Sequence, residues 1–384
     1  MPPDQDHLDT HAMRLRTARR IVLKVGTSIL TGGRAVADPR RITAIARDVA
    51  AAVRKGREVL LVSSGAIVTG AGVLGIRAPV RSLSQKQALA AVGQPVLMQQ
   101  YSAALDRLGL RAGQVLLTRR DFTSRRQYVN ARQTLRALLE AGIIPVINEN
   151  DTVATDEIQI GDNDTLSALV ASLTDADLLV ILSDVDGLMT GDPRRSRDAR
   201  LIPTVPRIDA AIVRAARRTP SRQGVGGMAT KVEAARIATA SGTATVIMSG
   251  VGAQPLARLL DGERCGTLFL PVERAPSARR RWLAFGLPVR GMLVIDDGAR
   301  DALRRGKSLL PAGVVAVEGT FEPGEAVVIR DRRGEEVARG LVNYPSGQIV
   351  RIKGVRSTQI ADVLGGKTHD EVVHRDNLVL GSPP

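Results

Sequence analysis

IVLKVGTSIL, residues 21–30, reads as a buried strand from Ile21 to Val25 that breaks at once into Gly26-Thr27-Ser28. An uninterrupted apolar run, rather than an alternating one, is the pattern of a strand covered on both faces. The pattern recurs outward along the chain, at Glu58–Val62, Gln114–Leu117, Ile143–Ile147, Leu178–Leu182 and Thr245–Met248. Between these runs lie stretches rich in Ala, Leu and Arg, about Pro39–Lys55, Leu83–Leu108, Ala131–Glu140, Asp164–Leu173 and Ala229–Ala240, with the composition and length of helices. Gly56, Gly109, Gly142 and Gly242 stand just past four of them, where a left-handed cap is wanted. Strand, helix, strand at this spacing predicts parallel βαβ units and an α/β three-layer sandwich with a mainly parallel sheet.

The pattern changes after Pro271. VERAPSARRRW reads as a linker, and beyond it come short strand-like pieces between turn signals: GMLVIDDGA, AGVVAVEGTF, EPGEAVVIRD, EEVARGLVNY and GQIVRIKG. The expected organisation is an N-terminal extension over 1–19, an α/β domain over 20–272, a linker over 273–288, a small mainly-β domain over 289–373 and a tail over 374–384.

The 384 residues are 44% hydrophobic and 24% charged, globular proportions for a length that suggests two domains. A single cysteine, Cys265, excludes an intramolecular disulfide and fits a reducing, cytoplasmic setting. Four histidines and that cysteine supply no four-ligand zinc set. No window approaches the ~18 consecutive apolar residues of a membrane span, and the polar first twenty residues lack the apolar core of a signal peptide. Lys and Arg total 54 against 39 Asp and Glu, a net +15 that at first sight suggests nucleic acid. Aromatics are only 2%, so stacking platforms are scarce. From Val289 onward fourteen basic residues meet thirteen acidic ones, so the excess lies in the first 288 residues, where arginines are interspersed with acids. That distribution favours a solvated basic surface and argues against RNA as a partner.

Three glycine patterns imitate nucleotide fingerprints. Gly70-Ala-Gly72-Val-Leu-Gly75 fits G-x-G-x-x-G but does not sit between a strand end and a helix start. Ala361-Asp-Val-Leu-Gly-Gly366-Lys367-Thr368 resembles a P-loop with its first glycine replaced, in a β context. Turns or helix caps explain both. Gly224-Val-Gly226-Gly-Met-Ala229 follows a polar stretch that cannot be a buried strand, and its meaning lies in the residues that come next.

Chemistry concentrates at the ends of the apolar runs. Lys24 inside a buried strand is costly unless an anion pairs with it, and the amides of a glycine loop such as Gly26-Thr27-Ser28 cradle phosphate oxygens. A lysine snorkelling from a strand edge is the plain alternative. Ser63-Ser64-Gly65-Ala66 ends a strand with small residues and enters a helix whose N-terminus favours a carboxylate. PVINENDTVATDEIQIGDNDTLSALVASL, residues 145–173, puts Asn148, Glu149, Asn150 and Asp151 after one strand and Asp162, Asn163 and Asp164 at a helix start. Such groups receive an amino group, hold a lysine in place or ligate magnesium; singly, each is an ordinary capping residue. Ser183-Asp184 ends another strand, where a nucleotide pocket and a long surface turn are both compatible with the sequence. GVGGMATK, residues 224–231, places Lys231 in a first helical turn, where a cation opposes the dipole unless a bound anion offsets it.

Together these segments resemble the amino acid kinase superfamily, and within it the glutamate 5-kinase family. The matching elements, in family order, are KVGTSILTGG, SSGAIVTG, KQALAAVGQ, VINENDTVAT, IGDNDTLSALVA, DGLMTGDPR and GGMATK; residues 289–373 look like a PUA domain. The resemblance implies the amino acid kinase fold and transfer of the γ-phosphoryl group of ATP, with Mg2+, to the side-chain carboxylate of L-glutamate, the first step of proline biosynthesis. It implies Lys24, Lys231 and Asp164 as catalytic residues. It assigns ATP to Lys24, Gly26, Ser183, Asp184, Val225, Gly226, Gly227, Met228, Ala229, Thr230 and Lys231, and glutamate to Ser64, Gly65, Ala66, Asn148, Asp151 and Asn163, with no direct protein ligand for a metal. Ser183 and Val225 depart from positions where the family commonly has Thr. Proline is the expected feedback inhibitor, the chain is expected to form a homo-oligomer (dimer or tetramer), and glutamyl phosphate reductase is the expected consumer of the product. The rival readings are a kinase of another acid such as aspartate or N-acetylglutamate, an RNA-binding or RNA-modifying PUA protein, and an amino acid sensor without catalysis.

Overall fold

A computed structural model describes residues 15–34, 36–76, 80, 82–154, 163–191, 198–217, 227–272, 287 and 289–381. The chain divides into two compact units, Met1–Ala275 and Pro276–Pro384. Nearly all of the expected linker, 273–288, and most of the N-terminal extension lie outside the described residues.

In the first unit eight strands, β1 (Arg20–Val25), β2 (Glu58–Ser63), β3 (Arg111–Leu117), β4 (Ile143–Glu149), β5 (Leu178–Ser183), β6 (Thr204–Val205), β7 (Ala244–Ser249) and β8 (Thr267–Phe269), form one sheet in the order β3-β4-β2-β1-β5-β7-β8-β6. Every pairing from β3 to β7 is parallel, and only β7 with β8 runs antiparallel. The helices that place the site are α1 (Thr27–Thr31), α2 (Pro39–Arg54), α3 (Ala66–Val73), α4 (Leu83–Asp106), α5 (Arg125–Glu140), α6 (Asn163–Thr174), α7 (Met228–Ala240) and α8 (Pro255–Leu260). Gly56, Gly109, Gly142 and Gly242 all have positive φ, from 68° to 93°, as their positions past α2, α4, α5 and α7 require.

The chain steps from β1 to β2 on one side and to β5 on the other, so the sheet reverses direction about its central strand. Ligand crevices of parallel sheets open at that point, beyond the carboxyl ends of the strands. β1 is buried over five of its six residues, and its pleat divides them between two layers. Ile21, Leu23 and Val25 pack in one core with Ile42, Ile45 and Val49 of α2 and Leu97 and Tyr101 of α4; the alternate face turns Lys24 toward α6. Truncating a side chain such as Leu23 in this core costs about 2–5 kcal/mol.

β3 departs from expectation. It begins at Arg111 rather than Gln114 and is exposed or half-buried over six of its seven residues, because it is the sheet's edge and not a covered strand. The glycine pattern at 70–75 resolves into two devices. Gly75, at φ 67°, turns the chain after α3. Gly70 and Gly93 instead let α3 and α4 touch backbone to backbone: a Cβ would fall 1.9 Å from the Leu89 carbonyl oxygen at Gly70 and 1.9 Å from that of Ala66 at Gly93.

The second unit is a five-stranded sheet in the order β10-β9-β11-β12-β13, formed by β9 (Val289–Ile295), β10 (Val314–Gly319), β11 (Ala326–Asp331), β12 (Glu336–Leu341) and β13 (Leu378–Leu380). GQIVRIKG is not a strand: Ser346–Ile352 is a helix that buries Ile349 and Ile352, three residues apart, and exposes Val350. Its three apolar residues, Ile349, Val350 and Ile352, suit a period of two and a period of three equally well, and Pro345 just before it starts a helix readily. The P-loop look-alike is the end of a short helix, Ile360–Leu364, with Gly365 at φ 75° as its cap and Lys367 ion-paired to Asp370. Among the described residues no helix is long and apolar enough to cross a membrane.

Candidate active site

The pleat of β1 sends the Lys24 ammonium into the layer between sheet and α6, where it is only 4% exposed. Such burial is tolerated because Asp164, fully buried in the first turn of α6, pairs with it. Lys231, in the first turn of α7 and 7% exposed, reaches the second oxygen of the same carboxylate: Lys231 Nζ lies 3.1 Å from Asp164 Oδ2. Thr230 Oγ1 donates to that oxygen at 3.0 Å. One carboxylate thus faces two ammonium groups brought from residues 24 and 231, and two cations to one anion at a cleft is an arrangement suited to holding an anionic ligand.

Both lysines line a cleft of about 590 Å3 at the carboxyl ends of β1, β2, β4 and β5. Gly26, Ser64, Gly65, Ala66, Asn148, Asp151, Asn163, Ser183 and Asp184 share its wall. Gly65 holds φ at 106°, a left-handed conformation that suits glycine, and so turns β2 into α3 with the first-turn amides of Ala66 to Val68 at the cleft. Asn163 Nδ2 donates to Ser64 Oγ and to Asn148 Oδ1, each at 2.9 Å, and Asn148 Nδ2 donates to Gln94 Oε1 at 2.9 Å. Burial alone pushes the Asp151 carboxyl up to about 6. Ser183 Oγ donates to Asp184 Oδ1 at 3.3 Å. Burial also lowers the Arg119 guanidinium, an effect partly offset by the neighbouring Glu149 carboxylate on the cleft wall.

The expected residues do not all meet. Val225 and Gly226 lie outside the described residues. Gly227 caps α7, and Met228 is buried in its first turn; neither is among the described residues on the cleft wall, nor are Ala229 and Thr230. Asp164 lies beneath the wall, joined to it by the lysines. Three participants escape a sequence reading: Gln94, Tyr101, whose hydroxyl lies 2.9 Å from Ser63 Oγ, and Lys86 on the cleft wall. Gln94 and Tyr101 are seven residues apart on α4, one stripe of an otherwise apolar face; a polar pair at that spacing was the available signal. Among the described residues no three His, Cys, Asp or Glu side chains converge as a metal cage.

The fold and the cleft are those of an α/β enzyme, and the class is given by the model of the amino acid kinase family, which matches residues 19–249, while that of the PUA domain matches 291–364. The chain belongs to the amino acid kinase family. Within it, the near-full-length similarity is to glutamate 5-kinases: that of Moorella thermoacetica is 48% identical over 369 residues, covering 96% of this chain and 98% of the relative. That of Citrifermentans bemidjiense is 47% identical over 367 residues, covering 95% and 98%. Among solved structures, UMP kinase from Bacillus anthracis aligns with 66% of this chain and 97% of its own at 17% identity and a TM-score of 0.46.

Proposed function

We propose that the protein transfers the γ-phosphoryl group of ATP to the side-chain carboxylate of L-glutamate, giving L-glutamyl 5-phosphate, in proline biosynthesis. The observation that carries this reading is the convergence of Lys24 and Lys231 on Asp164 at the reversal point of the sheet. The acceptor carboxylate is already ionised at neutral pH, so no general base is needed. The obstacle is bringing an anion up to a polyanion, and positioning with charge stabilisation supplies the rate. Lys24 and Lys231 neutralise charge on the phosphoryl group in transfer, and Asp164 holds both ammonium groups in place. Gly26 and Lys231 take the phosphates, with Ser183 and Asp184 beside the nucleotide. Asp151 receives the α-ammonium of glutamate, and Ser64 with the Gly65–Ala66 backbone receives a carboxylate.

Magnesium fits this site as a companion of the nucleotide. Asp164 spends its oxygens on two lysines and Thr230, so the ion would be held mainly by the nucleotide and water rather than by this carboxylate. When bound, it supplies further charge neutralisation there. The catalytic domain spans 20–272 and the PUA domain 289–373 in this reading. Proline acts at the amino acid end of the cleft as feedback inhibitor, the enzyme works in the cytoplasm as a homo-oligomer, and a reductase consumes the hydrolysis-prone acyl phosphate. The test is purified protein with ATP and magnesium, offered glutamate, aspartate or N-acetylglutamate, with hydroxylamine to trap acyl phosphate. Hydroxamate from glutamate is expected; hydroxamate only from another acid would overturn the substrate.

A further inference from the structure

Beneath the amino acid end of the cleft, four polar side chains from separate parts of the chain form one hydrogen-bonded row: Gln94 on α4, Asn148 on β4, Asn163 at the start of α6 and Ser64 after β2. Gln94 is 8% exposed and Asn148 3%, so both rely mainly on protein partners. An amide nitrogen has two hydrogens. Both hydrogens of Asn163 are spent, on Asn148 Oδ1 and Ser64 Oγ at 2.9 Å each, with a longer contact of 3.4 Å to the Ser63 carbonyl. Oδ1 is then the polar atom Asn163 has left to offer, and it is an acceptor. Ser64 Oγ accepts from Asn163, which leaves its own hydrogen to donate.

The row therefore has a direction, and the direction matches an α-amino acid. An acceptor at Asn163 beside the Asp151 carboxylate suits an ammonium group, and a donor at Ser64 beside the first turn of α3 suits a carboxylate. Neither asparagine sets this direction alone, since turning both amides over preserves the bond between them. With Gln94 in its observed orientation, turning them is penalised at both ends: weakly where Asn163 would present an oxygen to the Ser63 carbonyl at 3.4 Å, and more strongly where Asn148 would present one to Gln94 Oε1 at 2.9 Å. We infer that Gln94 is a positioning residue, which through Asn148 holds the Asn163 oxygen toward the substrate ammonium and so sets selectivity for an α-amino acid over its deaminated counterpart. Its helix is itself fixed against the site: Gly93 packs on the Ala66 carbonyl, and Tyr101, two turns on, bonds Ser63.

The inference rests on glutamate as the acceptor, and its test separates the two. Turnover is measured with glutamate and with glutarate, which differs only in lacking the ammonium group, for the unaltered chain, Gln94→Glu and Gln94→Leu. Glu keeps an acceptor facing Asn148; Leu has none. Gln94→Leu should lower the glutamate-to-glutarate ratio of kcat/KM at least tenfold, chiefly through the KM for glutamate, while Gln94→Glu stays within about threefold. Should Gln94→Leu fail to melt cooperatively, Gln94→Met replaces it in the same comparison. A folded apolar variant that keeps the ratio, or a Glu variant that loses it as fully, overturns the inference. No activity on glutamate in the unaltered chain would instead remove the reading on which it rests.

Discussion

Asp151→Asn should make this protein more stable and much poorer at binding its substrate. Burial alone lifts the Asp151 carboxyl from 3.8 to about 6, and each pH unit corresponds to about 1.36 kcal/mol. The ionised form therefore costs the fold up to about 3 kcal/mol, and about 1–2 kcal/mol once solvent screening of the partly exposed group is allowed for. The folded chain keeps a proton that the unfolded chain releases between pH 3.8 and about 6, so this residue's contribution to stability falls as pH rises through that window. Asparagine has no such cost. Thermal melts of the two chains, run side by side, should show the variant melting about 2–6 °C higher at pH 8, with the gain shrinking to about 1 °C at pH 4. At pH 8 its KM for glutamate should rise about a hundredfold, because a buried carboxylate that meets an ammonium is worth about 3 kcal/mol. A gain of equal size at both pH values would refute the reasoning, since it would trace the stability to hydrogen bonding rather than to buried charge.

Lys24→Ala or Lys231→Ala should each lower kcat about a thousandfold or more, the scale of removing one group that stabilises charge in the transition state; a steady-state assay with saturating ATP and glutamate checks this, and near-normal turnover would release that lysine from the mechanism. Lys24→Ala should also lower the melting temperature, because Asp164 then stays buried with one ammonium fewer. Gly93→Ala should destabilise by about 3 kcal/mol or more, since its methyl carbon would sit 1.9 Å from the Ala66 carbonyl oxygen. Chemical denaturation measures that cost, and a loss below about 1 kcal/mol would mean that α3 and α4 separate easily.

The βαβ order was legible because each central strand is an apolar run ended by glycine or small polar residues, and because Gly56, Gly109, Gly142 and Gly242 mark helix ends that only a left-handed cap explains. The start of β3 was hidden because Arg111, Ala112 and Gly113 sit at a sheet edge, where apolar character is not demanded. In the second unit, QIVRI fits two periodicities, and burial of Ile349 and Ile352 together decides for the helix. The cleft was legible at strand ends, where Lys24, Ser64, Asn148 and Ser183 interrupt or follow apolar runs. Gln94 and Tyr101 were not, because a polar residue within a helix is solvated by default and only tertiary packing turns it inward. That Asp164 faces both lysines at once is a fact of three elements meeting, which no spacing along the chain encodes.

That meeting has a consequence for synthesis. Lys24 leaves the ribosome more than a hundred residues ahead of Asp164 and some two hundred ahead of Lys231. Until Asp164 and β5 follow, the middle strand of the nascent chain lacks its Asp164 partner and its neighbour on the β5 side. The sheet cannot close early around its own first strand, because the neighbour on one flank is made more than a hundred and fifty residues later.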